Sequence, residues 1–272
     1  MEILGYVAAA LIGISLGLIG GGGSILTVPV LVYLFGESAS DATGYSLFIV
    51  GLTALVGSIA FIRRKQVDFG SVVAFGIPSV VAVYLVRSFV MPAIPDQILR
   101  TSTFVLTRDR AILLFFALLM LATAISMIRS RQPDAEQATT TRPRLRDYWK
   151  VIVEGLVVGA VTGLVGAGGG FLIVPALVLL GKLPMKTAVG TSLLIIAAKS
   201  LIGFIGDVQT QPDIDWGLLA SVSASAVVGI GIGSFFAAKV PAAKLKPAFG
   251  FFVLVMAAFI IGKEILLPGA AH

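Results

Sequence analysis

The sequence predicts an all-α polytopic membrane protein, an inverted repeat of two five-segment halves, each combining a glycine-broken helical hairpin with three spanning helices. Three observations predict it. Of the 272 residues, 57% are hydrophobic and only 12% charged, against about 25% charged in a soluble domain. Apolar runs recur from end to end. And one unusual pattern is stated twice, GLIGGGGSILTVPVLVYL over 17–34 and GLVGAGGGFLIVPALVLL over 163–180. About half of roughly thirty aligned positions are identical without a gap, so the chain is a duplicated unit.

The first half holds apolar segments near 3–19, 25–35, 43–62, 70–91 and 111–128. The second holds their counterparts near 149–165, 171–181, 187–206, 217–238 and 247–267. A spanning helix needs about 20 residues at 1.5 Å each, so the second segment of each half is too short to cross comfortably. It reads as one arm of a hairpin with the glycines at its tip. Residues 1–128 form the first repeat and 149–272 the second, joined by a polar linker at 129–148, RSRQPDAEQATTTRPRLRDY. The N-terminal run has Glu2 where a secretory signal has basic residues, and is expected to be the first membrane segment.

Lys and Arg set the orientation. With the N-terminus outside, Arg63, Arg64 and Lys65, the linker with Lys150, Lys182 with Lys186, and Lys239 with Lys244 and Lys246 all fall on the cytoplasmic side of a cell (inner) membrane. Arg100, Arg108 and Arg110, in the loop after the fourth segment, are the exceptions. An odd number of segments per half then inserts the second copy upside down, with both termini outside. The net charge of +6 therefore reports topology, not nucleic acid.

Composition also narrows the chemistry. Cysteine is absent and the one histidine is His272, which excludes thiolate and histidine-bearing metal or catalytic sites. No cofactor is expected.

A helix broken in hydrocarbon is costly unless the freed backbone groups line a cavity or bind something. An inverted repeat brings its two glycine tips toward the midplane from opposite sides, where transporters hold their substrates. Beyond each tip a short helix is expected to start, near Ser24 and Phe171, and its free N–H groups and dipole favour an anion. Gly20, Gly21, Gly22 and Gly23 in one half, and Gly166, Gly168, Gly169 and Gly170 in the other, permit positive φ and close backbone approach. Gly13 with Gly17, and Gly159 with Gly163, are instead read as helix-packing positions.

Hydroxyls near the tips can donate to an oxyanion without adding fixed charge. The candidates are Ser24, Thr27, Thr43, Tyr45 and Ser46 in the first half, with Thr187, Thr191 and Ser192 in the second. Of these, Ser46 and Ser192 occupy equivalent positions in both copies. Lys199 stands deep in IIAAKSLIG with Thr53 at the equivalent place, which marks it as the charge that attracts an anion or carries a coupling proton. Arg87 lies nearer a helix end, where it can snorkel or line an outer vestibule. Asp68-Phe69-Gly70 and Asp215-Trp216-Gly217 read as N-caps followed by interfacial aromatics.

At these residues the chain resembles the TauE/SafE, or sulfite exporter, family of membrane permeases. The resemblance is carried by GLIGGGGSILTVP followed by GYS, and by GLVGAGGGFLIVP followed by GTSLLIIA, and covers nearly the whole chain. It implies transport of small sulfur-containing anions such as sulfite or sulfonates, with 20–24 and Pro29, 166–170 and Pro175, and the Ser46 and Ser192 motifs as pore elements. Where many members carry asparagine, this chain has Lys199. The expected partners are a small anionic substrate and the lipid bilayer, with proton or sodium coupling and homo-oligomerisation left open. A passive anion channel is the alternative within transport. An intramembrane enzyme is the alternative from another class, and it would need a nucleophile with a base, or paired carboxylates, inside the membrane.

Overall fold

A computed structural model describes residues 2–100, 105–129, 148–179, 183–210, 214–236 and 242–266. The linker read at 129–148, apart from its end residues, lies outside this set, as do Lys182 and Lys239.

The first half opens with α1 (Glu2–Ile19), which stops at the glycine cluster. The chain resumes as a 3-10 turn (Gly22–Leu26), α2 (Thr27–Val30) and a π-helical turn (Leu31–Phe35). Three further helical stretches follow: α3 (Ala39–Arg63), then α4 (Phe69–Leu85) running through a π-helical turn (Val86–Val90) into α5 (Met91–Ala93), and finally α6 (Arg108–Arg129). The second half repeats the order as α7 (Tyr148–Val165), α8 (Gly170–Leu179), α9 (Met185–Thr210), α10 (Trp216–Phe236) and α11 (Ala242–Leu266). All ten apolar segments thus appear as helices. A short hairpin of β1 (Gln97–Arg100) and β2 (Val105–Thr107) was not anticipated in the loop after the fourth segment. Its strands pair locally, from Gln97 with Thr107 to Arg100 with Val105.

Local chemistry accounts for the helix ends. Ser38 caps α3 by accepting the Asp41 N–H at 3.1 Å. Asp68 caps α4 through Ser71 N–H at 2.8 Å, and Asp215 does the same for α10 through Leu218 N–H at 2.9 Å. Each cap satisfies a backbone donor that has no intrahelical partner. Phe69 and Trp216 stand exposed beside them.

The surface is apolar and the interior partly polar, which is the distribution a bilayer demands. On α4, Phe69, Val73, Ile77, Val81 and Leu85 form an exposed stripe at four-residue spacing, while Phe75, Ser79, Ala82 and Val83 are buried. Helices 39–63, 69–93, 185–209 and 216–236 are long and apolar enough to cross a membrane. Buried hydroxyls, including Ser46, Thr53, Ser58, Ser79, Thr162, Ser192 and Ser200, line the helix interfaces.

Small residues let the helix backbones approach. On α1, Gly13 and Gly17 face α10, and a β-carbon on Gly17 would stand 2.6 Å from the Ser234 nitrogen. On α7, Gly159 and Gly163 face α4, and a β-carbon on Gly159 would stand 2.5 Å from the Ser79 oxygen. These glycines are packing positions, as their spacing suggests. The pairings correspond when the halves are exchanged: α1 with α10 and α7 with α4, α4 with α9 and α10 with α3, while α3 packs on α9 and α6 on α11. The central pair α3 and α9 is antiparallel, with Gly44 beside Asp207, Gly51 beside Leu201 and Gly57 beside Leu193.

Candidate functional site

The two glycine breaks meet in the interior. Gly20 and Gly21 have φ of 73° and 112°, and Gly166, Gly168 and Gly169 have φ of 71°, 63° and 66°. That left-handed conformation costs an L-residue roughly 1–2 kcal/mol and glycine almost nothing. Helix resumes at Gly22 and Gly170, slightly earlier than the expected Ser24 and Phe171. A β-carbon on Gly21 would lie 2.6 Å from the Gly170 α-carbon, so the turns stack backbone on backbone. Gly168 sits over Ser24, at 3.2 Å from its β-carbon to the position a side chain would occupy. Gly23 is crowded by Ser15 of α1.

Around this junction the structure gathers Ser24, Ser192 and Lys199, all buried, while Thr27 and Ser46 are buried on the neighbouring α2 and α3. Ser24 donates to the Gly21 carbonyl at 2.7 Å, and Ser192 reaches across the halves to the Gly20 carbonyl at 2.9 Å. The Thr27 and Ser46 hydroxyls are buried with no hydrogen-bond partner among the described residues.

Tyr45 and Thr191 are differently engaged. The Tyr45 hydroxyl accepts the Asp215 N–H at 2.9 Å, and the Thr191 hydroxyl accepts the Asp68 N–H at 2.9 Å. These two residues occupy equivalent positions of the repeat, and each holds the capping aspartate of the other half. Their hydroxyl oxygens tie helices together.

Lys199 does not snorkel; its side chain is fully buried. Its Nζ donates to Thr162 Oγ1 at 2.8 Å and lies 2.8 Å from where a β-carbon on Gly169 would be. The ammonium therefore rests on the second glycine turn, beside the start of α8. Cation and helix N-terminus both carry positive character, and an anion between them would relieve the repulsion. Thr162 had no signal of its own in the sequence, since its counterpart is Leu16.

Arg87 departs from the snorkelling expectation. It is 1% exposed, with Nη1 at 3.2 Å from Asp207 Oδ1 and 3.2 Å from Thr43 Oγ1. Asp207 lies one residue past the eighth apolar run, which hydropathy ends at residue 206. The helix instead continues to Thr210, since Arg87 neutralises the carboxylate inside the protein. A charge of opposite sign near the end of one segment in each half was the available signal.

A family model described as sulfite exporter TauE/SafE matches residues 6–260. The chain belongs to the TauE/SafE family. A probable membrane transporter protein of Xylella fastidiosa strain 9a5c is 32% identical over 262 residues, covering 94% of each chain. The probable membrane transporter protein YdhB of Bacillus subtilis strain 168 is 27% identical over 240 residues, covering 88% of this chain and 91% of the relative. MJ0441 of Methanocaldococcus jannaschii, also named a probable membrane transporter protein, is 28% identical over 208 residues, covering 75% and 69%. No solved structure matches this chain. With its apolar helices, this TauE/SafE protein is a multi-pass membrane transporter.

Proposed function

We propose that this protein is a secondary transporter of small sulfur-containing anions, sulfite, sulfonates or related oxyanions, bound where the two glycine turns meet. The observation that carries the reading is the buried Lys199 ammonium resting on the Gly169 turn, with the neutral Thr162 hydroxyl as its one hydrogen-bond partner among the described residues. A charge so placed is unstable in hydrocarbon unless something of opposite sign visits it. Helix termini at Gly22 and Gly170 and the open hydroxyls of Thr27 and Ser46 supply donors suited to a tetrahedral or pyramidal oxyanion.

Two features support an inverted repeat. Equivalent helices α3 and α9 are antiparallel, and every principal packing pair has a counterpart in the other half. In that arrangement the turns enter from opposite sides of the inner membrane, and rocking one half against the other exposes the site alternately. Burial of Ser24, Ser46, Ser192 and Lys199 fits a closed conformation between the two openings.

Purified protein in liposomes, given sulfite, thiosulfate, sulfate and methanesulfonate, tests the function. Saturable uptake that discriminates in favour of sulfite or the sulfonate is expected. Flux that grows linearly with concentration, without competition among the anions, would mean a passive pore.

A further inference from the structure

Arg87 carries a second anomaly besides its burial. Among the described residues only Nη1 is engaged, by Asp207 and Thr43, while Nε and Nη2 are buried without a hydrogen-bond partner. These two nitrogens form one edge of the guanidinium, the geometry that grips two oxygens of a carboxylate or oxyanion at once. The Ser88 hydroxyl is likewise buried and, among the described residues, unpartnered. A β-carbon on Gly206 would stand 2.9 Å from Arg87 Cβ and 3.0 Å from Ser88 Oγ, so both side chains leave the backbone beside the same bare stretch of α9. Arg87 and Ser88 lie in the π-helical turn Val86–Val90, a distortion that often marks a functional position. Three idle donors in an apolar interior would be costly as permanent structure.

We propose that Arg87 forms a second oxyanion-binding station, separate from Lys199, in which Nε and Nη2 take two oxygens of the sulfur oxyanion and Ser88 Oγ supplies a further donor. This rests on the transport reading above and adds a step to it. From Lys199 to Asp207 the helix advances eight residues, about 12 Å along its axis. The station therefore lies away from Lys199, toward the C-terminal end of α9. Asp207 keeps it weak: the carboxylate cancels the guanidinium charge, so an anion gains chiefly from directed hydrogen bonds and leaves readily. Weak successive sites allow passage where one tight site would trap. Thr43 links the station to the central site, because it accepts from Arg87 Nη1 and its backbone packs on Gly166, where a β-carbon would stand 2.5 Å from Thr43 Cα.

Two substitutions separate this role from a structural ion pair. Arg87→Lys keeps the charge beside Asp207 but removes the Nε/Nη2 edge, and should raise the KM for sulfite at least tenfold. Asp207→Asn keeps an oxygen for Nη1 but removes the competing charge. Sulfite should then act as the counter-ion, so its stabilising shift in Tm should exceed that of wild type, with sodium chloride at equal ionic strength giving no such gain. The extra shift should persist in the D207N/K199M double variant. An unchanged KM in Arg87→Lys, or a D207N shift no larger than wild type, would overturn the second station; so would loss of the shift when Lys199 is also replaced. If Asp207→Asn cannot be purified, the Arg87→Lys KM decides. Wild-type protein that neither binds nor moves sulfite or methanesulfonate would instead overturn the substrate class.

Discussion

Gly21 and Gly170 lie back to back where the two halves of the chain meet, so close that a methyl group on Gly21 would stand 2.6 Å from the Gly170 α-carbon. Neither backbone can yield without moving its own glycine turn. Gly21→Ala should therefore abolish sulfite flux and lower stability by about 1–3 kcal/mol through overpacking. Gly36→Ala is the control, since Gly36 also has positive φ, 80°, but nothing within 4 Å of an added β-carbon. It should cost only about 1–2 kcal/mol of backbone strain and leave flux intact. Equal flux in the two variants would show that crowding at the junction is immaterial.

Lys199 and Thr162 should respond to substitution in opposite ways. Lys199→Met removes the charge and should weaken sulfite binding at least about tenfold, equivalent to about 1.4 kcal/mol. Thr162→Val strands the ammonium without its neutral partner, so the ligand-free protein should lose about 1.5–3 kcal/mol. Sulfite should then stabilise Thr162→Val more than wild type. Calorimetric titration and thermal unfolding read both effects, and unchanged affinity in Lys199→Met would leave the site to helix termini and hydroxyls.

Tyr45→Phe and Thr191→Val each remove the acceptor for a backbone N–H at the opposite half's cap. Each should destabilise by about 0.5–1.5 kcal/mol, the net worth of one part-buried hydrogen bond. Because these hydroxyls accept from backbone, the KM for sulfite should stay within about twofold of wild type, a difference well under 1 kcal/mol. A large rise in KM without loss of stability would move Tyr45 or Thr191 into the substrate site.

Gly70 and Gly217 occupy equivalent positions of the repeat, both exposed and close only to their own capping aspartates. The chain has no cysteine, so single Gly70→Cys and Gly217→Cys variants can be labelled without background. A membrane-impermeant maleimide applied to intact cells should reach Gly217→Cys, and reach Gly70→Cys only after permeabilisation. Labelling of both from one side would refute the inverted arrangement.

Hydropathy and glycine spacing are local properties, and they were enough to locate every apolar helix and both breaks. The positive φ of Gly20, Gly21, Gly166, Gly168 and Gly169 follows from the same logic, because the glycine runs interrupt otherwise continuous apolar helices. Where the sequence stopped short, the partners were remote. Tyr45 and Asp215 are 170 residues apart, Arg87 and Asp207 are 120, and Lys199 and Thr162 are 37. No window of sequence contains such a pair, and which side chains face each other depends on how helices from the two halves rotate and slide in packing. Thus the sequence by itself determined a duplicated membrane transporter with two broken hairpins and a lone interior lysine. Only the tertiary structure decided that Gly21 would rest on Gly170, that Tyr45 and Thr191 would hold the opposite half, and that Arg87 would be fixed on Asp207 with one edge of its guanidinium left without a partner among the described residues.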